Sequence, residues 1–154
     1  MKKLIVFAAA VICFTVIFAG CGQKEQQAES VQNEEKTAEQ VVKEYFAYWG
    51  NRDKDSMDRL LIESQRVEED DPDISLVTAL TVNSCIEVAD ELKEEWDPEL
   101  YPDPYDFTYV DVDFDIAFEG GEGSGYSDGN YQTRFFLIKE TENAEWKIVT
   151  WGLG

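Results

Sequence analysis

The C-terminal third of the chain alternates between apolar and polar side chains, and this alternation constrains the fold more than any other feature. It covers three runs, at residues 107–118, 131–139 and 146–151. Alternation with a period of two is typical of half-buried β-strands. A glycine-rich segment with Asp128-Gly129 separates the first two runs, and a short segment with Glu142-Asn143 separates the last two. The pattern therefore predicts an antiparallel meander of three strands.

The first run, VDVDFDIAF, carries an aspartate at every second position. Together with Glu122, these carboxylates match much of the ligand spacing of a calcium loop. Such a loop needs a glycine at its sixth position for a sharp turn, and the residue there is Ile116. The strict alternation with apolar residues is instead typical of a half-buried strand. We favour the strand and keep the segment from Asp111 to Glu122 as the best candidate for a divalent-cation alternative. The aspartates are Asp111, Asp113 and Asp115.

Three carboxylates on one face of a strand would repel each other, and aspartate is a poor strand former. The strand interpretation therefore requires compensating side chains on neighbouring strands. We expect Arg134, Lys139 or Lys147 to lie opposite the aspartates.

The N-terminal half changes to helical spacing. Thr37 and Gln40 form a capping-box pattern, and apolar residues then recur on one side of residues 41–49. Gly50-Asn51 ends this helix with residues that tolerate a left-handed backbone, and Asp53 or Asp55 begins a second, shorter helix. Residues 74–80 form a further helical turn or two before a strand at about residues 82–89. Three prolines make residues 91–106 an extended connection.

These segments resemble a known superfamily. TAEQVVKEYFAYWGNRDKDSMDRLL, from Thr37, looks like the first two helices of the nuclear transport factor 2-like superfamily, also called the ketosteroid isomerase-like or cone fold. GEGSGYSDGNYQTRFFLIKETENAEWKIVTWG resembles its last hairpin. The chain from about Thr37 is similar to an uncharacterised family of such domains in lipoproteins of Gram-positive bacteria. The resemblance implies an α+β fold with two or three N-terminal helices packed on a curved antiparallel sheet, with a pocket at the wide end. It implies no particular activity.

The N-terminus is typical of a secretory signal. Lys2 and Lys3 precede an apolar run at residues 4–18, which ends in Phe18-Ala19-Gly20-Cys21. The cysteine after Ala-Gly resembles the lipobox of bacterial lipoproteins. We therefore predict a signal peptide at residues 1–20, lipidation of Cys21 and a polar tether at residues 21–36, followed by one domain at residues 37–154. The predicted location is the outer face of the cell membrane. A single transmembrane anchor is the alternative.

The charge of the chain excludes some classes of partner. Removal of residues 1–20 would leave 11 Lys and Arg residues against 33 Asp and Glu residues, a formal charge of −22. This charge opposes binding to nucleic acid or to anionic lipid head groups. It provides solubility and could also attract a basic partner or a divalent cation. The acidic segments 68–73 and 97–106 match no recognised cation loop.

The sequence contains no histidine, which limits the candidates for catalysis. Cys85, the only thiol expected in the mature chain besides Cys21, has no histidine to activate it and lies in a strand-like context. An acid–base pair in a pocket would need a carboxylate whose pKa is raised by burial, together with a tyrosine. The candidates for such a pair are Glu87, Asp90, Tyr109, Tyr126 and Tyr131. We predict a domain that is not an enzyme and that uses no cofactor or metal.

Apolar side chains occur on both faces of the last two predicted strands. Tyr131, Phe135 and Leu137 alternate with Phe136 and Ile138, and Trp146 and Ile148 alternate with Val149 and Trp151. One face can pack on the helices, whereas the other can face a pocket, an envelope protein or a second copy of the domain. We therefore predict binding of a partner protein or a small apolar ligand, with a homodimer through the sheet as a further expectation. The candidate pocket or interface residues are Tyr109, Tyr131, Phe135, Phe136, Trp146 and Trp151.

Overall fold

The computed structural model describes residues 35–66, 71–92 and 96–152. In these ranges three α-helices pack on a four-stranded antiparallel sheet, which confirms the predicted α+β class. The helices are α1 (Ala38–Gly50), α2 (Lys54–Leu60) and α3 (Pro72–Ser75), and 3₁₀ turns lie at Glu63–Gln65 and Asp90–Leu92. The strands are β1 (Val77–Glu87), β2 (Asp106–Phe118), β3 (Gly129–Lys139) and β4 (Lys147–Gly152), paired in sequence order.

Several predictions concern residues outside these ranges. They are the signal peptide at residues 1–20, lipidation of Cys21 and the tether as far as residue 34. Residues 68–70 of the acidic segment 68–73 also lie outside the described residues. Within the described ranges, no helix has the length and apolar character needed to cross a membrane.

Helix α1 begins at the predicted capping box. The Thr37 hydroxyl accepts from the Gln40 backbone N–H at 3.3 Å, and the Gln40 side chain accepts from the Thr37 N–H at 2.8 Å. The two caps satisfy backbone donors that the first turn leaves free. The apolar side of the helix is buried against the sheet. Its buried residues are Ala38, Val41, Val42, Tyr45, Phe46 and Trp49.

Helix α1 ends at Gly50 with Asn51 as its C-cap, as predicted, but the left-handed residue is the next one along the chain. Asn51 keeps a right-handed backbone with φ −90°, and Arg52 takes the left-handed conformation with φ 58°. Arg52 is held there because its guanidinium donates to the carbonyl of Val77, with the Nε atom at 2.8 Å. Helix α2 follows the prediction, since the Asp53 side chain accepts from the Ser56 N–H at 3.1 Å.

Strand β1 begins earlier than predicted. The helix expected at residues 74–80 is the single turn α3, and β1 begins at Val77 rather than near residue 82. The reason is the length of β2, which at 13 residues offers pairing as far as Phe118, the partner of Val77. These long-range ladder hydrogen bonds outweigh the weak local helical pattern.

Strand β4 contains a correction to the predicted faces. The pairing of β3 with β4 changes register at Val149, which is an extra residue in β4. An extra residue of this kind breaks the period-two alternation. Trp151 therefore lies on the same side as Ile148, and its ring stacks on Phe135 with centroids 5.8 Å apart. The prediction that Trp151 opposes Ile148 was wrong.

The second apolar face of the sheet is covered at one end by the connection before β2. The indole of Trp96 stacks on Tyr109 at 6.5 Å, and Tyr109 contacts Phe136 at 5.1 Å. Tyr109 is 3% exposed and Ile138 is fully buried. Because the chain covers this part of its own sheet, the face offers no support for the predicted homodimer, which stays a prediction.

Candidate functional site

A cavity of about 190 Å³ lies where the helices meet the β2–β3 loop and the end of β4. We call it the aromatic cavity. Four aromatic rings line it, from Tyr45, Trp49, Tyr126 and Trp151. Met57 and Ile74 complete its apolar wall, and Gln65, Asp71 and Asp73 supply its polar wall.

The aromatic wall is a connected set of rings. Tyr45 and Trp49 are one helical turn apart on α1, so both point to the same side. The Tyr45 ring centroid lies 6.2 Å from that of Trp49 and 5.7 Å from that of Trp151, and Trp49 lies 5.6 Å from Tyr126. These separations are typical of edge-to-face and tilted aromatic packing, which fixes the orientation of each ring.

The hydroxyl of Tyr45 is the unusual polar group of this wall. The residue is 3% exposed, and its hydroxyl makes no hydrogen bond with any described residue. Within the described ranges no fully enclosed side-chain nitrogen or oxygen lacks a partner, so this hydroxyl must be reached through the cavity. Burial raises the pKa of Tyr45, and the charges of nearby acids, including Asp71 and Asp73, raise it further. The hydroxyl is therefore open to a hydrogen bond with water or with a ligand in the cavity.

The acidic wall also fastens α3 to the β2–β3 loop. The Asp73 carboxylate accepts from the backbone N–H groups of Ser124 at 2.7 Å and Gly125 at 2.9 Å. The Ser124 hydroxyl donates to Asp73 at 2.9 Å and to Asp71 at 3.1 Å. The indole N–H of Trp49 donates to the backbone carbonyl of Asp73, which ties this wall to the aromatic one.

The described hydrogen-bond donors to the two carboxylates are all uncharged. Their partners are backbone N–H groups and a hydroxyl, and neither makes an ion pair with a described lysine or arginine. Burial also raises the pKa of Tyr126, and the charge of Asp73 adds to this effect. The cavity thus combines an apolar aromatic interior with a negative electrostatic field.

The comparisons with known proteins give a family and no function. A protein-family model described as "Domain of unknown function (DUF4829)" matches residues 39–152. The chain belongs to this family. No curated protein and no solved structure matches the chain. The match covers the helices and strands of the described fold except Ala38, the first residue of α1.

The six predicted aromatic residues are divided among several places in this DUF4829 domain. Trp151 lines the aromatic cavity, and Phe135 lies beneath it in the core. Tyr131 lies behind the cavity, where its ring contacts Tyr126 at 5.0 Å. Trp146 packs at the core margin, with the Lys139 ammonium 5.1 Å from its ring centroid. The other two, Tyr109 and Phe136, lie on the opposite face of the sheet.

Of the residues proposed for acid–base chemistry, only Tyr126 lies in the wall of the aromatic cavity. Glu87 accepts from the Thr108 hydroxyl at 2.6 Å, and neither Glu87 nor Asp90 lines the aromatic cavity of the DUF4829 domain. The acids that accompany Tyr126 are Asp71 and Asp73, which belong to the acidic segment 68–73 and were not expected in a pocket.

The aspartates of β2 lie on the exposed face of the predicted strand. Asp111 faces Arg134, as expected, and forms a two-pronged ion pair with N–O distances of 2.7 and 2.9 Å. Asp113 accepts from Asn130, Asn83 and Gln132, and these hydrogen bonds lower its pKa. Side-chain amides therefore offset most of the repulsion among the β2 aspartates, a role that we had expected basic residues to fill.

The outer face of β2 shows no metal site. A depression of about 480 Å³ includes Asp111 and Asp113, both already engaged with side-chain donors. Across the described residues, no group of three or more His, Cys, Asp or Glu side chains could hold a metal ion. The segment proposed as a calcium loop is a strand up to Phe118, followed by a turn.

Cys85 is a buried strand residue, as predicted. It is 7% exposed, and its thiol faces the carbonyl oxygen of Glu39 at 3.8 Å. Burial raises the pKa of the thiol to about 11. A thiol with a raised pKa and little exposure is a poor nucleophile at neutral pH.

Proposed function

We propose that this protein is a membrane-anchored, extracytoplasmic lipoprotein whose folded domain binds a small molecule in the aromatic cavity and does not catalyse a reaction. The observation that carries the binding function is the Tyr45 hydroxyl, buried in an aromatic wall without a partner among the described residues. Binding sites typically combine an apolar lining with a few polar groups that fix the ligand.

The proposed anchor rests on the N-terminal sequence. A basic start, an apolar run and a cysteine at position 21 are the features of a lipoprotein signal. Two acyl chains on Cys21 would give stable attachment to a membrane. The acidic composition supports a domain held away from anionic head groups.

We also propose that the domain has the nuclear transport factor 2-like cone fold, in its family of Gram-positive lipoproteins. The support is the order of elements, with helices first and an antiparallel meander last, together with a cavity between the helices and one end of the sheet. Members of that superfamily differ in function, so the fold itself does not select among ligands.

Binding is favoured over catalysis by the contacts of the two acids. Asp71 and Asp73 accept hydrogen bonds that hold the β2–β3 loop, and neither bonds to Tyr45 or Tyr126 in the described structure. A general base must reach the proton that it removes, in a site arranged around the substrate. These carboxylates instead serve as structural acceptors and as a source of negative potential.

The cavity volume limits the ligand. About 190 Å³ is below the roughly 300–1,000 Å³ that is usual for drug-sized ligands. The cavity therefore fits a small molecule or the head group of a larger one. An envelope protein as partner stays a prediction, since it would reach this cavity only by inserting a side chain.

The test uses a matched pair of substitutions in the full chain. Ile74 lines the cavity, whereas Ile86 is 62% exposed on β1. Ile74→Phe should fill the cavity and weaken binding of any small molecule that raises the thermal midpoint of the wild type, and Ile86→Phe should not. Saturation at 100 times Kd would add about 2.7 kcal/mol to stability, so a thermal shift is readily measured. Failure of a charge-diverse set of small compounds to shift the midpoint, or equal binding by both variants, would refute the proposal.

A further inference from the structure

The aromatic cavity has two properties that together select one class of ligand. Its walls carry four aromatic rings, and its polar side carries two carboxylates without a cationic partner in the described ranges. An apolar ligand would pack favourably against the rings but would have no electrostatic attraction to Asp71 and Asp73. An anion would be repelled by both.

An organic cation would interact favourably with both the aromatic rings and the carboxylates of the cavity. The faces of tryptophan and tyrosine rings attract cations, and the attraction increases when the site is shielded from water. Opposite charges at short range add to this attraction where the local dielectric constant is low. Cages built from several aromatic rings are used to recognise quaternary ammonium groups.

The small volume of the cavity and the hydroxyl of Tyr45 further limit which cations could bind. A bare metal ion would require several oxygen ligands, and the described residues provide no group that could hold one. An organic cation can instead fill an apolar space of about 190 Å³ with its alkyl groups. The Tyr45 hydroxyl, which has no partner among the described residues, can bond to a polar atom attached to the ammonium group.

We propose that the aromatic cavity binds an alkylammonium cation with a head group the size of trimethylammonium. The proposal rests on the small-molecule binding function stated above and names its ligand class. The rings of Trp49, Trp151 and Tyr126 surround the alkyl groups, and Asp71 and Asp73 supply the opposing charge.

The charges of Asp71 and Asp73 also act on the tyrosine hydroxyl of the aromatic wall. The pKa of Tyr45 is raised first by burial, and then by the charges of neighbouring groups that include Asp71, Asp58 and Asp73. Burial by itself disfavours any charge, but the part of the rise that comes from the carboxylates reflects a negative potential, which favours a bound cation. No described lysine or arginine lines the cavity to oppose it.

The experiment compares a cation with its neutral carbon isostere. The full-length chain is purified in a maltoside detergent, which carries no ammonium group, and is titrated with choline or with 3,3-dimethylbutan-1-ol at constant ionic strength. Calorimetry gives Kd, and tryptophan fluorescence, to which Trp49 and Trp151 of the cavity contribute two of four indoles, gives a second readout. We expect choline to bind about tenfold or more tightly than the alcohol.

Two substitutions assign the charge effect to the cavity. Asp71→Asn keeps the size of the side chain and a hydrogen-bond acceptor, and it should weaken choline binding about tenfold with little change for the alcohol. The control Asp115→Asn removes one charge from the exposed face of β2 and should leave both affinities unchanged. Trp151→Leu should weaken choline binding as well, since it removes a ring from the cage.

The same head group could come from a free molecule or from a lipid. Vesicles of phosphatidylcholine, compared with vesicles of phosphatidylglycerol, distinguish these sources, because only the former present a trimethylammonium group. A change of tryptophan fluorescence with choline alone assigns the free molecule, and a change with phosphatidylcholine vesicles as well assigns the head group in either form.

The outcomes separate this inference from the function on which it rests. Equal affinity for choline and the alcohol, or equal choline affinity of Asp71→Asn and Asp115→Asn, overturns the alkylammonium proposal but leaves small-molecule binding intact. Failure of every compound, charged and neutral, to bind overturns both.

Discussion

Alanine at Gly123 should break the contact between α3 and the β2–β3 loop. A Cβ atom at this position would lie 2.0 Å from the Oδ1 atom of Asp73, far closer than atoms can approach, and 3.0 Å from the Phe118 ring, which is a tight contact. The carboxylate must therefore move and release its hydrogen bonds to Ser124 and Gly125. Hydrogen bonds to a charged group contribute about 1.5–3 kcal/mol each when buried. These are exposed, so we expect a total loss of about 1–3 kcal/mol.

The assay is urea and thermal unfolding followed by tryptophan fluorescence. A loss of 1 kcal/mol lowers Tm by about 4–8 °C in a domain near this size. Gly152→Ala is the matched control, because a Cβ there has no heavy atom within 4 Å. In an Asp73→Ala background the cost of Gly123→Ala should fall below about 1 kcal/mol, since the clashing carboxylate is gone. Equal midpoints for the two glycine variants, or a cost unchanged by removal of Asp73, would show that the contact is not what the substitution disrupts.

Three further predictions concern titration, reactivity and anchoring. Hydrogen bonds from Asn130 and Asn83 hold the pKa of Asp113 below its ordinary 3.8, so their stabilisation is present above that pH and is lost as pH falls through the lower folded pKa. Circular dichroism should show a flatter loss of stability below pH 4 for Asp113→Asn, and parallel curves would contradict this. With a pKa near 11 instead of 9.0, the Cys85 thiol should react with iodoacetamide at pH 8 about a hundredfold more slowly than in urea, whereas similar rates would exclude the burial effect. Intact mass spectrometry should show the added mass of the acyl chains in the wild type and in Cys85→Ser, but not in Cys21→Ser. Retention of that added mass in Cys21→Ser would contradict lipidation at Cys21.

The fold was predictable where local pattern and tertiary environment agree. The capping box of Thr37 is a purely local device, and the alternation of β2 follows from one buried face. The predictions failed where a distant partner decided the outcome. Strand β1 begins early because the far end of β2 pairs with it, and Trp151 changes sides because the pairing of β4 with β3 leaves Val149 as an extra residue. Neither partner can be inferred from spacing along the chain.

The aromatic cavity was harder to predict for a different physical reason. In the sequence, Tyr45 and Trp49 are two apolar positions of an amphipathic helix. The same pattern is expected whether their rings fill a core or line a cavity. Asp71 and Asp73 likewise read as a solvated acidic loop. These residues form a candidate site because α1 packs against the segment before β1. The hydrogen bond from the Trp49 indole to the Asp73 carbonyl holds this contact. That contact places a tyrosine hydroxyl with no hydrogen-bond partner among the described residues beside two carboxylates with no cationic partner there, and a cationic ligand could interact with both.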